Sequence, residues 1–381
     1  MNPFKHLSNP VLYSGSREIN RLSGLLDPAT PVFFITGAHF ADTPAWQTLE
    51  SRLRGAGCRV QRQTVHGEPD PDIVDDLTEQ AERFNAGCVV GIGGGSVLDA
   101  GKAVAAMLCQ EGSVLDYLEG VGTKEPEGKT VPFIAAPTTA GTGSEATKNA
   151  VLSRPGPAGF KKSLRHDAFI PSTAIIDPEL AMGCPPEITL ACALDALSQL
   201  LESRVSTAGT PLTQALSRQG LRLFVRGSRL FSDNLYQSRL ALSLRWDLAM
   251  AAYLSGVTLA NAGLGTVHGI AGPLGAFTCV PHGVACGKLL PQVFTILSQE
   301  MQVEALDELG AWLSRGVDAI PQPDDFQIAL DYMNSWADQL PKLSEYGLTE
   351  QTLDGVVKAS ANKNFPIQLS VQQIRDVLSC I

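Results

Sequence analysis

Asp195 and Gln199 stand four positions apart in the run ALDALSQLLE, residues 193 to 202, which is otherwise patterned as an apolar helix. Side chains at i and i+4 stack on one helix face, so two oxygen-bearing groups share one small volume. Further along, GTVHGIAGPLGAFTCVPHGVACGKLLP carries His268 and His282 in a helix, loop, helix context, the second framed by Pro281 and Gly283. Asp195, Gln199, His268 and His282 together make a four-ligand N and O set for a divalent transition metal. Two imidazoles with one carboxylate suit Fe(II), Zn(II) or Ni(II) better than Mg or Ca. Taken singly, each has a plainer role: a His beside Gly is commonly a hydrogen-bonded structural residue, and an Asp in a helix an ion-paired one.

Two turns earlier in the chain carry a different chemistry. GIGGGSVLDAGKAVA, residues 91 to 105, follows a strand at Cys88 to Ile92 and opens a helix. Its consecutive glycines let backbone amides approach a phosphate at the positive end of that helix. Ser96 is placed to cap the helix, with Asp99 three residues on completing something like a capping box. Ser96 also stands where the dinucleotide fingerprint G-x-G-x-x-G has its third Gly, so phosphate binding and a tight strand-to-helix turn both stay open. The second turn, APTTAGTGSEAT at 136 to 147, again follows a strand and offers the hydroxyls of Thr138, Thr139, Thr142 and Ser144 around two Gly.

The surrounding chain predicts what holds these residues. From about residue 30 to 180, β-branched or aromatic runs such as PVFFITG and AGCVVGIGGG alternate with helical patterns such as PDIVDDLTEQAERFNAG; this alternation implies a parallel sheet wrapped by helices. From about 186 onward strand patterns almost vanish and amphipathic runs take over, so this half is read as helical. The stretches at 153 to 162 and 318 to 325 read as loops. At 381 residues, two domains are the better expectation. The net charge of -10, with no Lys/Arg run, argues against nucleic acid as a partner. Eight scattered Cys without a CxxC look like reduced thiols packed as small hydrophobes. No signal peptide or long apolar span is visible, and a cytoplasmic location is expected.

All of these motifs occur together and in order. With AIIDPEL, VHGIAGPLG, PHGVA and the terminal SANKNFPIQLSVQQIRDVL, the chain resembles the iron-containing (group III) alcohol dehydrogenases nearly end to end. The resemblance implies a fold like that of dehydroquinate synthase: an α/β, Rossmann-like nucleotide-binding domain over 1–180 and an all-α metal- and substrate-binding domain over 181–381, with the active site in the cleft between. It implies NAD(P)-dependent interconversion of an alcohol and a small aldehyde or ketone, with Fe(II), or else Zn(II) or Ni(II), as the metal, and a homodimer. The cofactor residues then fall on Gly94, Gly95, Ser96, Asp99, Thr138, Thr139, Thr142 and Lys161. The metal ligands fall on Asp195, Gln199, His268 and His282, with Asp195, His268 and His282 as the catalytic set.

Four departures from the family pattern bear on chemistry. Gln199 stands where the family ordinarily has a ligating His, and an amide is a poorer donor to borderline metals. Gly272 stands where many members carry a His near the substrate. Gly37 occupies the place of an Asp that reads the ribose 2′-hydroxyl in NAD-preferring members, and without that carboxylate a 2′-phosphate, hence NADP, is acceptable. Lys288 replaces an apolar residue; it is read as a snorkelling surface Lys or as a reader of an anionic aldehyde. The alternatives are a metal-free reductase resembling maleylacetate reductase, a lyase on the same scaffold, and a ligand-binding protein that has lost catalysis.

Overall fold

The structure, a computed structural model, describes residues 3–156 and 159–381. Six strands form one parallel sheet: β1 (Val11–Ser14), β2 (Val32–Gly37), β3 (Val60–Val65), β4 (Cys88–Gly93), β5 (Phe133–Pro137) and β8 (Thr173–Ile176), in the order β1-β8-β5-β4-β2-β3. β2 shows why the sheet is wrapped on both faces. Phe33 and Ile35 enter one core with Val74, Leu77 and Leu98, while Val32 and Phe34 enter another with Trp46, Leu49 and Leu53. A strand buried on both faces reads as a continuous apolar run rather than an alternating one. The helices of this region are the short α1 (Leu22–Leu25) and α2 (Ala38–Ala41), then α3 (Pro44–Gly55), α4 (Pro71–Arg83) and α5 (Gly95–Met107). Thr43 and Asp70 cap α3 and α4 with side-chain acceptors, each before a Pro at the first helical position, the preferred start for a helix.

β6 (Asn149–Arg154) and β7 (Phe160–Arg165) pair as an antiparallel hairpin. The loop expected at 153–162 is therefore strand at both ends; Pro157 and Ala158, within it, lie outside the described residues. The charged KK pair in β7 hides the strand from a hydrophobicity pattern. From Pro186 on, every described element is helical: α6 (Pro186–Val205), α7 (Pro211–Ser232), α8 (Ala241–Ala262), α9 (Thr266–Phe277), α10 (His282–Glu300), α11 (Glu304–Arg315), α12 (Asp325–Ala337), α13 (Glu350–Ala359) and α14 (Val371–Ser379), with short 3-10 turns between. One core runs through all nine, from Leu190 to Leu378. Among the described residues no single helix is long and apolar enough to cross a membrane; α8 and α9 together would be, but they meet at 99°.

Two backbone contacts join the sheet region to the helices and the chain terminus to α9. Gly143, at φ 62°, lies so close to Gly256 of α8 that a Cβ on Gly143 would come 2.5 Å from the Gly256 Cα. Only a residue without a side chain fits either position. In α9, Pro273 lacks the N–H that would bond the carbonyl four residues back. The freed Gly269 carbonyl instead accepts from Ala361 N at 3.3 Å, and a Cβ on Gly269 would meet the Ala361 carbonyl at 1.7 Å. The segment following α13 is thus seated on α9 beside His268.

Candidate metal and cofactor cleft

α6 presents Asp195, Gln199 and Glu202 at i, i+4 and i+7, one face of the helix, and all three are buried. α9 brings His268 opposite, and α10 opens with His282 and carries Cys286 one turn later. His268 Nε2 lies 3.1 Å from Asp195 Oδ1 and 3.6 Å from Cys286 Sγ. His282 Nε2 lies 3.7 Å from both Asp195 Oδ1 and Cys286 Sγ. One donor atom from each of Asp195, His268, His282 and Cys286 fits within 4.8 Å of the others.

Glu202 sets the orientation of this group. Its Oε2 lies 2.7 Å from His268 Nδ1, and its Oε1 accepts from Val267 N at 2.7 Å. With Nδ1 on Glu202, Nε2 is the ring nitrogen turned toward the cluster, the orientation that a carboxylate gives a metal-binding imidazole. Gln199 is placed differently from a ligand. Its Nε2 donates to Asp195 Oδ1 at 3.0 Å and its Oε1 accepts from Ser255 Oγ at 2.7 Å, so the atom turned toward the cluster is a nitrogen without a free lone pair. Burial works against ionisation of Asp195, yet His282 and His268 outweigh it and hold the carboxyl down at about 2. Burial likewise opposes the charged form of His268, but Cys286 and Glu202 raise it well above its ordinary range. The Cys286 thiol is lowered against its own burial by the two imidazoles.

The glycine turn and the hydroxyl turn meet at the ends of β4 and β5. Gly94 is the N-cap of α5 and no side chain caps it. The capping box expected from Ser96 and Asp99 is absent, because the helix begins at Gly95 and Ser96 already lies inside its first turn. The first amides of α5 are thereby left open, as an anion site at a helix N-terminus requires. A Cβ on Gly95 would overlap Thr142, 2.6 Å away, and one on Gly94 would touch Thr139 at 3.4 Å. Thr142 Oγ1 accepts from Ser144 N at 3.2 Å, and Ser144 Oγ donates to Asp99 at 2.5 Å. Thr138 N donates to the Gly93 carbonyl at 2.9 Å. Asp99 and Thr142 therefore join the two turns to each other. Lys102, which the sequence reading passed over, completes the joint: its buried Nζ donates to the Ser144 and Asn149 carbonyls, both at 2.8 Å, and to Thr147 Oγ1 at 2.9 Å. Burial lowers it to about 8. Gly37 ends β2 in extended backbone at φ −71°, with Val97 of the glycine turn 3.7 Å from where its Cβ would sit.

His268, Gly272 and Gly275 follow one another at i, i+4 and i+7 on α9; a Cβ on Gly272 would meet nothing within 4 Å, while one on Gly275 would touch Lys161 Nζ at 3.4 Å. Lys161 is ion-paired to Glu68, which also accepts from Ser153 Oγ at 2.7 Å. Lys363 reaches the His268 carbonyl at 3.4 Å. Lys288 is elsewhere, in a surface cavity with Asn334, Asp338, Lys342 and Cys380, away from the His pair.

Residues 9–178 match the family described as iron-containing alcohol dehydrogenase, and residues 189–381 match the C-terminal domain of the same family. The long-chain-alcohol dehydrogenase 1 of Geobacillus thermodenitrificans (strain NG80-2) is 33% identical over 310 residues, covering 81% of this chain and 75% of that one. A solved 1,3-propanediol oxidoreductase superposes over 100% of both chains with a TM-score of 0.85 at 26% identity. A sulfoacetaldehyde reductase from Bifidobacterium kashiwanohense, solved in complex with NAD+, superposes over 100% of this chain and 99% of its own with a TM-score of 0.84 at 25% identity. The chain belongs to the iron-containing alcohol dehydrogenase family and is an oxidoreductase acting on CH–OH groups.

Proposed function

We propose that the protein is a metal-dependent, NAD(P)H-using reductase of a small aldehyde that carries an anionic group. The observation that carries this reading is the unfilled space beside Gly272, one turn from His268, with the ammonium of Lys161 at Gly275 and that of Lys363 at the His268 carbonyl. Lys161 is neutralised by Glu68, whereas among the described residues Lys363 has no carboxylate within ion-pair distance, which leaves it free to meet a substrate anion. The likeness to a sulfoacetaldehyde reductase supports the same substrate class.

The donor set fits a divalent cation: a carboxylate, two imidazoles and a thiol converge, and Glu202 holds one imidazole in its binding orientation. The turns fit a dinucleotide: Gly94 and Gly95 leave the α5 amides approachable beside Thr138 and Thr139. When bound, the nicotinamide supplies hydride and the metal draws charge from the carbonyl oxygen. Asp195, His268 and His282 would hold the metal, and Lys161 on β7 would orient the reacting end of the cofactor. Gly272 gives the substrate room but no side chain to carry a proton, so the alcohol proton exchanges through water in that opening. Gly37 leaves the ribose site free of a carboxylate, and NADPH is accepted. The exposed edge strand β1, with Val11 and Leu12 outward, is where a second copy would pair in a homodimer.

Steady-state reduction of matched aldehydes tests the proposal. Carboxylate-, phosphonate- or sulfonate-bearing aldehydes should exceed neutral ones of equal length by roughly tenfold in kcat/KM, the worth of about 1.4 kcal/mol, and Lys363→Met should erase that margin. Equal kcat/KM across the panel would sink the anionic reading. A metal-free reductase is the second reading, favoured by Gln199 donating to Asp195; undiminished activity after exhaustive chelation would establish it.

A further inference from the structure

We propose that Cys286 is the fourth metal ligand of this chain, standing in for the donor that Gln199 does not supply, and that the resulting Asp195–His268–His282–Cys286 set binds zinc in preference to iron. The inference rests on the preceding reading that the cleft holds a metal.

Geometry is the first argument. Tetrahedral zinc with Zn–N and Zn–O near 2.0–2.1 Å and Zn–S near 2.3 Å spaces its ligand atoms roughly 3.3 to 3.7 Å apart. The separations here are 3.1 Å for His268 Nε2 to Asp195 Oδ1, 3.6 Å for His268 Nε2 to Cys286 Sγ, and 3.7 Å from His282 Nε2 to each of the other two. Four of the six donor separations are already close to ligand spacing and all six lie within 4.8 Å, so a modest contraction closes the group on an ion.

Position and charge agree with geometry. His282 and Cys286 are i and i+4 on α10, so one helix face presents both, and Cys286 is fully buried at that face. A thiolate beside two imidazoles and a carboxylate is also a stronger donor to a divalent cation than a neutral amide is. The Gln199 amide is already satisfied at both ends by Asp195 and Ser255. Thiolate is also the softest donor in the group, and mixed sulfur and nitrogen tetrahedral sites favour zinc over a six-coordinate ferrous ion. Zinc tolerates expansion to five donors, so a complete protein set still admits a substrate oxygen from the Gly272 side.

The test uses the full-length protein loaded with cobalt(II), whose coordination by sulfur is visible as a thiolate-to-metal charge-transfer band in the near ultraviolet, together with competition between zinc and ferrous ions followed by metal analysis. The wild type should show the band and retain about one equivalent of zinc over iron. Cys286→Ser should lose the band and bind zinc more weakly by at least the roughly 10- to 100-fold that removal of an outer partner costs. Gln199→Ala should keep the band. A wild-type cobalt protein that binds metal without a sulfur band overturns this inference alone, and needs no variant to fold. Loss of metal in Gln199→Ala with full retention in Cys286→Ser overturns it too. A wild type that binds no divalent ion yet turns over at full rate overturns both this inference and the metal-dependent reading on which it rests.

Discussion

Glu202 Oε2 lies 2.7 Å from His268 Nδ1, while the other oxygen of the same carboxylate receives the amide of Val267. One buried side chain thus fixes both the start of α9 and the ring orientation of the imidazole that α9 carries. Glu202→Gln keeps the volume but can serve only one of the two donors as an acceptor. Metal affinity should fall about 10- to 100-fold, measured by competition with a chromophoric chelator. Affinity equal to wild type would show that His268 is oriented by packing alone.

Gly37 gives the most direct handle on cofactor choice. Its backbone is extended and the space for a Cβ is an ordinary contact with Val97, so Gly37→Asp introduces a carboxylate without strain. The carboxylate would repel a 2′-phosphate and accept from a 2′-hydroxyl. The wild type should use NADPH at least as well as NADH, and the variant should shift the ratio of kcat/KM toward NADH by roughly tenfold or more, about 1.4 kcal/mol. A wild type that already prefers NADH a hundredfold would show that another acid reads the ribose.

Burial pushes the Glu145 carboxyl up to about 7 from its ordinary 4.5. Between those values the native state keeps a proton that the unfolded chain gives up. The unfolded state then binds fewer protons, and stability falls as pH rises through the window. The loss is at most about 3 kcal/mol from this group. Glu145→Gln should match wild type near about pH 4 and exceed it near about pH 8, as read from denaturant midpoints. The same offset at both pH values would mean that the effect is one of packing, not protonation.

Sequence periodicity reached the architecture because both halves obey it: β2 reads as an unbroken apolar run and α6 as an apolar helix with acids on one face. The positions of Asp195, His268 and His282 were legible for the same reason, since each interrupts an apolar segment where an unpaired polar group would be costly. Cys286 was not, although it stands four residues after His282. Among apolar neighbours a thiol looks like packing, and only the fold shows that its helix face is shared with an imidazole. Glu202 stands at i+7 from Asp195 on the same face, but its role depends on α9 bringing His268 opposite it, which spacing does not show. Lys363 and Lys102 could not be placed from spacing at all. The first depends on Pro273 releasing a carbonyl to a segment ninety residues away, the second on two turns meeting across the sheet. Ser96 misled because the helix starts two residues earlier than a Ser96 cap would place it, with Gly94 serving as the N-cap.

The contact between Gly143 and Gly256 has a consequence for motion. The hydroxyl turn is held to α5 by Lys102 and to α8 by two side-chain-free backbones in touch, so it belongs mechanically to both halves of the molecule at once. Relative movement of the two regions is therefore most restricted at this seam, where neither glycine can carry a side chain.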